Sequence, residues 1–515
     1  MQILNQTVLP TLESSPGIYS ISNDYSLNGA TLSIPSGKTL YFNGGSISNG
    51  TLSLNGTLLN NLEDDSINAR IVGTILNTVI YTSQIGGINN LGLSDYSGMT
   101  IYCNQDESSV SSTICISGVN ANGNTATVFD GMNNSFHCNV PFFKLQNGSQ
   151  NVTVRNFVAT TNTSSDKNFF DTDRDTTKGY SGIHVYNNHI TGFTVGISLG
   201  NEAENLTVTG TITGNYIFDC LGTTSGKGYG IHLANAYNCW VVGKHITNCE
   251  RHAIYHAYGS YNTIQYNTIS EFRKNLTESA PQAAIDVSRK SSHVTVSYNT
   301  FTSCNGVCIM VYTCTPAEDS DGEDNLFRYG NADNIVISNN TFNMGYLTGD
   351  LFGLTYIMIG YSTPCHGYSA RAAAQTLIMD VVINNNTFNK LQSDSQKCIR
   401  IDQCVELSVI NNAFNLKLPD SPNPNTHRTI FNFQDTTVPD SVMTATISGN
   451  TFSYIGTNPG ADIFLIGDDV SLFSSSINSD YIIYWSSNSL QNQYIGSVTN
   501  YYLYEGIPGD NLIIS

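Results

Sequence analysis

Apolar and polar positions alternate in short runs along most of this chain, and the runs recur. Ile231-His232-Leu233 is followed fifteen residues later by Ile246, Ile254-Tyr255-His256 fifteen later by Ile269, and Ile285-Asp286-Val287 sixteen later by Phe301. Period-two alternation marks strands, and its return every 23 to 31 residues marks a solenoid made of them. The pattern predicts an all-β chain wound as a parallel β-helix.

A corner signal accompanies each unit. Asn134-Ser-Phe136, Asn156-Phe157, Asn188-His-Ile190, Asn215-Tyr-Ile217, Asn267-Thr-Ile269, Asn299-Thr-Phe301, Asn340-Thr-Phe342, Asn386-Thr-Phe388, Asn412-Ala-Phe414 and Asn450-Thr-Phe452 share one form. Asn accepts left-handed backbone angles and its amide bonds to turn backbone, so stacked corners predict an Asn ladder with the following Ile or Phe turned inward. From Tyr25 to Leu59, short strands alternate with Asn-Gly, Ser-Gly and Gly-Gly turns. The expected division is a lead-in or attachment segment over 1–25, the helix over 26–455, and a C-terminal cap over 456–515. Tyr481, Tyr484, Trp485, Tyr494, Tyr501, Tyr502 and Tyr504 in that last segment would close the solenoid end or meet another subunit.

Composition narrows the partners. Forty acidic against 21 basic residues give a net charge of -19, which disfavours a nucleic-acid backbone or an anionic membrane surface. Residues 1–17 lack the cationic start and apolar centre of a secretory signal, and no run is long enough to cross a membrane. The expectation is synthesis in a cytoplasm without a signal peptide. The twelve cysteines show no Cys-x-x-Cys pair or zinc spacing, and Cys220, Cys239, Cys249, Cys304, Cys308, Cys398 and Cys404 read as small buried thiols. Asp171-Thr-Asp173-Arg-Asp175, which lacks the Gly and distal Glu of a complete loop, and the dense but irregular set Glu318, Asp319, Asp321, Glu323 and Asp324 suggest calcium loops. Solvated acidic loops are the preferred reading, and no cofactor is expected, with calcium the one rival.

The residue between the two inward aliphatics of each opening strand should face out. That position holds His184, Ser198, His232, Tyr255, Asp286, Met310 and Arg400, and the residue two before it is small each time, as if forming a groove floor. Strands about 4.8 Å apart would spread His232, Tyr255 and Asp286 over roughly 10 Å, the scale of a sugar ring and its linkages. Long connections, such as the 16 residues from Ile269 to Ile285, would wall the stripe and supply Glu271, Arg273, Lys274 and Glu278. Arg251 stands just ahead of the Tyr255 strand, while His252 and His256 fall at inward positions. Each stripe residue has a plain alternative as ordinary solvated surface.

The coil pattern and Asn corners, over about residues 25 to 455, resemble the right-handed parallel β-helix superfamily that includes pectate lyases, and within it the phage tailspike proteins. The resemblance implies a right-handed solenoid with N- and C-terminal caps, a polysaccharide ligand on its outer face, and a homotrimer attached to a virion tail or otherwise extracellular. It is one of architecture: no Asn-Thr-Asp or Gly-His-Gly motif is present, nor a carboxylate set like a pectate lyase calcium site. A depolymerase of the lyase type would use Arg251, Arg273 or Lys274 to neutralise a uronate, with Tyr255 or His232 as base. One of the hydrolase type would pair Asp286 with Glu271, two carboxylates about 5 to 9.5 Å apart. His184 and Arg400 would add substrate contacts. A receptor-binding spike without activity and a structural fibre or adhesin are the rival readings.

Overall fold

The computed structural model describes residues 1–117, 126–162, 166–173, 178–200, 207–222, 227–271, 283–304, 306–313, 330–343, 355–360, 378–389, 397–401, 404–417, 428–433, 443–455, 463–467, 481–486, 488–492, 501–505 and 512–514. Strands dominate, and pairing within the coils is parallel, each strand lying beside the one a full coil later. Two compact units divide the chain, Met1–Ile217 and Phe218–Ser515.

In the first unit, pairing begins at once. Gln2–Ile3 lies beside Tyr25–Ser26, and Ile18–Ile21 beside Thr39–Phe42, so residues 1–25, where the sequence shows little pattern, already share in the sheets. The long strand Ile47–Asn60 pairs in turn with Tyr25–Ser26, Thr31–Ser33 and Thr39–Phe42. Regular coils follow, each giving one strand to each of three sheets, as in Val152–Arg155, Val158–Thr160 and Asn168–Thr172.

The second unit repeats this plan. One coil comprises Thr263–Gln265, Thr268–Ser270 and Ala283–Ser288, and the next comprises Ser292–Ser297, Thr300–Thr302 and Val307–Tyr312. Stacking continues past residue 455. Ile463–Gly467, Tyr481–Ser486, Ser489–Asn492, Tyr501–Glu505 and Leu512–Ile514 each pair in parallel with the strand one coil earlier. Tyr494 and the side chains of the other aromatics of that segment lie outside the described part.

Two internal stacks explain why the coils hold register. Phe301, Phe342, Phe388, Phe414 and Phe452 lie ring over ring, with centroids 5.0, 4.8, 4.7 and 5.0 Å apart. These spacings match the distance between neighbouring strands, so one residue type at one corner fills the interior coil after coil. Burying each such side chain contributes about 1.5 to 3 kcal/mol. Beside them runs the Asn ladder. Asn299 Nδ2 donates to Asn340 Oδ1 at 3.0 Å and to the Ile264 carbonyl at 3.0 Å, while its backbone N–H donates to the same Asn340 oxygen at 2.9 Å. The scheme repeats through Asn340, Asn386, Asn412 and Asn450, and in the first unit between Asn188 and Asn215.

One detail of the expected ladder is corrected. The left-handed residue is the one before the ladder Asn: Asn339 (φ 56°), Asn385 (φ 54°) and Asn411 (φ 56°) precede Asn340, Asn386 and Asn412. The corner thus needs two residues, one for the angle and one for the buried amide. Ten described cysteines are free thiols, nine of them buried, including all seven singled out above.

Candidate functional site

The third strand of each coil in the second unit carries the row of interest. Backbone register aligns His232 with Tyr255, Tyr255 with Asp286, Asp286 with Met310, Met310 with Met358, and Met358 with Arg400. The predicted stacking of His232, Tyr255 and Asp286 on consecutive coils is therefore present, and Met358 joins the row unanticipated.

The row is not the open polar trough that alternation suggests. His232, Tyr255 and Arg400 are half-buried, but Asp286 is 1% exposed, Met310 3% and Met358 2%. Met310 and Met358 pack with Ala283, Val307 and Tyr312, so Arg400 is separated from Asp286 by two apolar rungs. The small residues are not a groove floor either. A Cβ on Gly230 would lie 2.9 Å from Ile246 Cγ2 and 3.2 Å from Cys249 Sγ, both buried, so that position faces the interior.

Gly230 and Ile231 both turn inward, as do Ala253 and Ile254 on the next coil, so the strand bends there and its alternation changes phase. Residues three apart across the bend then share the outer face. Tyr229 and His232 are one such pair, and His252 and Tyr255 the next. Tyr229 stacks on Tyr255 at 5.3 Å, His232 on Tyr255 at 5.5 Å and His252 on Tyr255 at 5.2 Å, with Tyr229 to His252 at 5.4 Å. His252, 4% exposed and hydrogen-bonded, is buried as expected, and with Tyr229, 5% exposed, it forms the covered side of this cluster. His256 is internal as expected: Asn262 Nδ2 donates to its Nε2 at 2.7 Å, Nδ1 meets Ser291 Oγ at 3.1 Å, and burial lowers its pKa to about 4.

Charge gathers around the rings. His252 Nδ1 donates to the Ala283 carbonyl at 2.9 Å, which directs Nε2 toward Asp286 Oδ2 at 3.6 Å. Burial pushes the Asp286 carboxyl well above the ordinary carboxylate range, and the Arg251 and Arg289 guanidinium groups oppose it only in part. Burial thus favours the neutral form of Asp286, with the His252 ring 3.6 Å from its carboxyl. Asp286 Oδ1 is buried with no hydrogen-bond partner. Arg251, 6% exposed, holds its guanidinium 5.9 Å from the Tyr229 ring centre, and Arg289 does the same with Tyr258.

The remaining candidates lie elsewhere or beyond description. His184 belongs to Tyr180–Tyr186, the strand before the Asn188 corner, whereas the row residues lie on the strand after the corner strand. It is bonded through Nδ1 to Thr211 Oγ1 at 2.7 Å, and burial lowers its pKa. A polar residue between two aliphatics thus occurs on more than one strand of the coil. Ser198 does lie on the third strand of its coil and is buried. Glu271 is exposed at the end of Thr268–Ser270, its backbone N–H donating to the Thr302 carbonyl, with no bond to Asp286. Arg273, Lys274 and Glu278 lie outside the described residues, as do Asp175 and the acidic set from Glu318 to Asp324. Asp173 pairs with Lys144 at 3.1 Å, and Asp171 accepts from Asn168 at 3.0 Å. Among the described residues no three His, Cys, Asp or Glu side chains converge as metal ligands. Tyr229 and Arg289 escaped sequence reasoning, although an aromatic three residues before the row position was a usable signal once the bend is known.

Residues 176–342 match the family model described as right handed beta helix region. Together with the strand pairing, this makes the chain a right-handed parallel β-helix. No curated protein matches the sequence. Among solved structures, the chain is similar to the Dettilon tailspike protein at 13% identity, covering 81% of this chain and 69% of that one, with a TM-score of 0.37. An alginate lyase from Paenibacillus sp. str. FPU-7 is similar at 12% identity, over 72% and 93%, with a TM-score of 0.37. A variant tailspike protein of E. coli bacteriophage HK620, solved with a pentasaccharide, is similar at 12% identity, over 98% and 76%, with a TM-score of 0.40.

Proposed function

We propose that this right-handed β-helix binds a bacterial surface polysaccharide along its third sheet and cleaves it by β-elimination at the Tyr255 cluster, in the manner of a tailspike depolymerase. The observation that carries the reading is the packing of Tyr229, His232 and His252 around Tyr255, directly over the buried Asp286 and beside Arg251. Tyr255 and His232, the half-buried members, are the groups a sugar would meet.

Elimination from a uronate needs its carboxylate neutralised, a base for the proton α to it, and an acid for the departing glycosidic oxygen. Arg251 supplies positive charge. Tyr255 and His232 stand side by side as base and acid: one takes the α-proton, the electron pair becomes the new carbon–carbon double bond, the glycosidic C–O bond breaks, and the other protonates the leaving oxygen. His252 and Asp286 act behind them, holding the Tyr255 ring in place. Hydrolysis would need a second carboxylate, and among the described residues Asp286 has none beside it. The homotrimeric, virion-attached state belongs to the same reading.

The test is incubation with uronate-containing capsular polysaccharides. Release of oligosaccharides with the ultraviolet absorbance of an unsaturated uronate is expected, and its loss in Tyr255→Phe with the fold retained. Binding without release would make the protein a receptor-binding spike. Neither binding nor release would make it a structural fibre.

A further inference from the structure

The second unit presents a second aromatic surface, on the sheet that contains Trp240–Val242, Thr263–Gln265 and Ser292–Ser297, separate from the sheet of the Tyr255 cluster. Trp240 is 51% exposed, Tyr261 50%, Tyr266 54% and Tyr298 49%. Tyr266 and Tyr298 stack at 5.0 Å, Tyr261 stacks on His293 at 4.5 Å, and Tyr237 meets Tyr261 at 5.3 Å.

Backbone conformation makes these rings unusual. Tyr261 (φ 58°), His293 (φ 51°), Tyr266 (φ 54°) and Tyr298 (φ 55°) occupy left-handed positions at the two ends of their strands, His293 as the second residue of Ser292–Ser297. The Tyr266 and Tyr298 corner is the one that other coils fill with Gly243, Asn339, Asn385, Asn411 and Gly449. Gly and Asn suit that angle, and a bulky aromatic is strained there. Tyr258 shares the strain at φ 41° but is offset by burial against Ala234 and Ala257. The exposed rings are offset only by stacking on one another, with their outer faces left to solvent. Strain kept at exposed positions of two separate corners, in the same consecutive coils, points to a use outside folding.

We propose that this face is a second carbohydrate-binding surface, which grips an uncharged stretch of glycan two or three sugars long. The chemistry selects that occupant. Between the aromatic corners, the outward row runs Trp240, Thr263, Thr295, with Gln265 beside it, so flat apolar faces stand next to hydroxyl and amide groups. A pyranose offers the complement, an apolar C–H face rimmed by hydroxyls. None of these positions carries an acid or a permanent cation, although the chain has a net charge of -19, so a charged polymer has nothing to pair with here. Three coils at about 4.8 Å spacing give a platform roughly 10 Å long, enough for two or three rings. The surface does not depend on the Tyr255 cluster being catalytic.

Affinity gel electrophoresis in neutral O-antigen polysaccharides and dextran tests it. Retardation of the wild-type chain by at least one of them is expected. Tyr266→Asn with Tyr298→Asn, and separately Trp240→Thr, should weaken it by roughly tenfold. Each substitution installs a residue that a neighbouring coil already uses at that place, so folding is safeguarded and the Asn pair should unfold no earlier than wild type. No retardation by any of these polysaccharides overturns the proposal, as does retardation that both the Asn pair and Trp240→Thr leave unchanged. A change of oligomeric state in the Asn pair, read by light scattering, also overturns it and makes the face a contact between copies of the chain.

Discussion

Lys244 occupies the corner position that Asn267 takes on the next coil. Its backbone N–H donates to Asn267 Oδ1 at 3.1 Å as a ladder residue should, but its side chain has only the Val242 carbonyl, at 3.1 Å. It is 2% exposed, and burial lowers its pKa from 10.5 to about 6. Between those two values the unfolded chain binds a proton that the folded chain does not. Stability therefore rises with pH across that window and is lowest below it. The interval from pH 7 to 10.5, at about 1.4 kcal/mol per pH step, corresponds to a penalty of at most about 5 kcal/mol, and relaxation around the amine brings it to roughly half. Lys244→Asn removes the charge and restores the amide bond to Asn267 that the other rungs make. We expect a gain of about 2 to 3 kcal/mol at pH 7, shrinking as pH rises. Solenoids open locally, so hydrogen exchange of the segment 240–250, corrected for intrinsic rates, is the suitable assay. Wild-type protection should grow from pH 6 to pH 9 while that of the variant stays flat. Equal protection of the two proteins at pH 7, or no pH response in the wild type, would refute the reasoning.

Two further outcomes follow from buried polar groups. Asp286 has a folded pKa raised above the 3.8 of an ordinary aspartate, so its contribution to stability is complete below that value and is lost as pH rises toward the folded one. Asp286→Asn should thus melt at a higher temperature than wild type at pH 7, with the difference closing near pH 4, and it should still lose glycan cleavage. The expectation from an outward Asp would have been no change in stability. Asn340→Ala removes the two bonds that Asn340 receives from Asn299 and those it gives to Val296 and Asn386, leaving buried donors unsatisfied. Guanidinium unfolding should show a loss of about 3 kcal/mol or more, whereas Asn339→Gly, at the half-buried left-handed position beside it, should cost little.

Period and corner chemistry were legible in the residues themselves. Regular Ile, Val and Phe spacing makes sense only if each coil lies on the last, and an Asn before each inward aromatic has a purpose only if amides stack. Hence the architecture, the free buried thiols and the alignment of His232, Tyr255 and Asp286 could be read in advance. What could not be read was the phase of the pattern through a bend. Two successive inward residues at Gly230-Ile231 and Ala253-Ile254 bring Tyr229 and His252 against Tyr255, and no count of alternation reveals that. His184 satisfies the same local rule as His232 yet lies on another strand of its coil, because the rule describes one strand and not its place in the turn. Burial of Asp286 was likewise decided in three dimensions. Its own strand turns it outward, and only packing over that strand excludes water from its carboxyl, raises its pKa and sets it against His252. Local sequence specifies which way a side chain leaves its strand; what it meets there depends on segments remote in the chain.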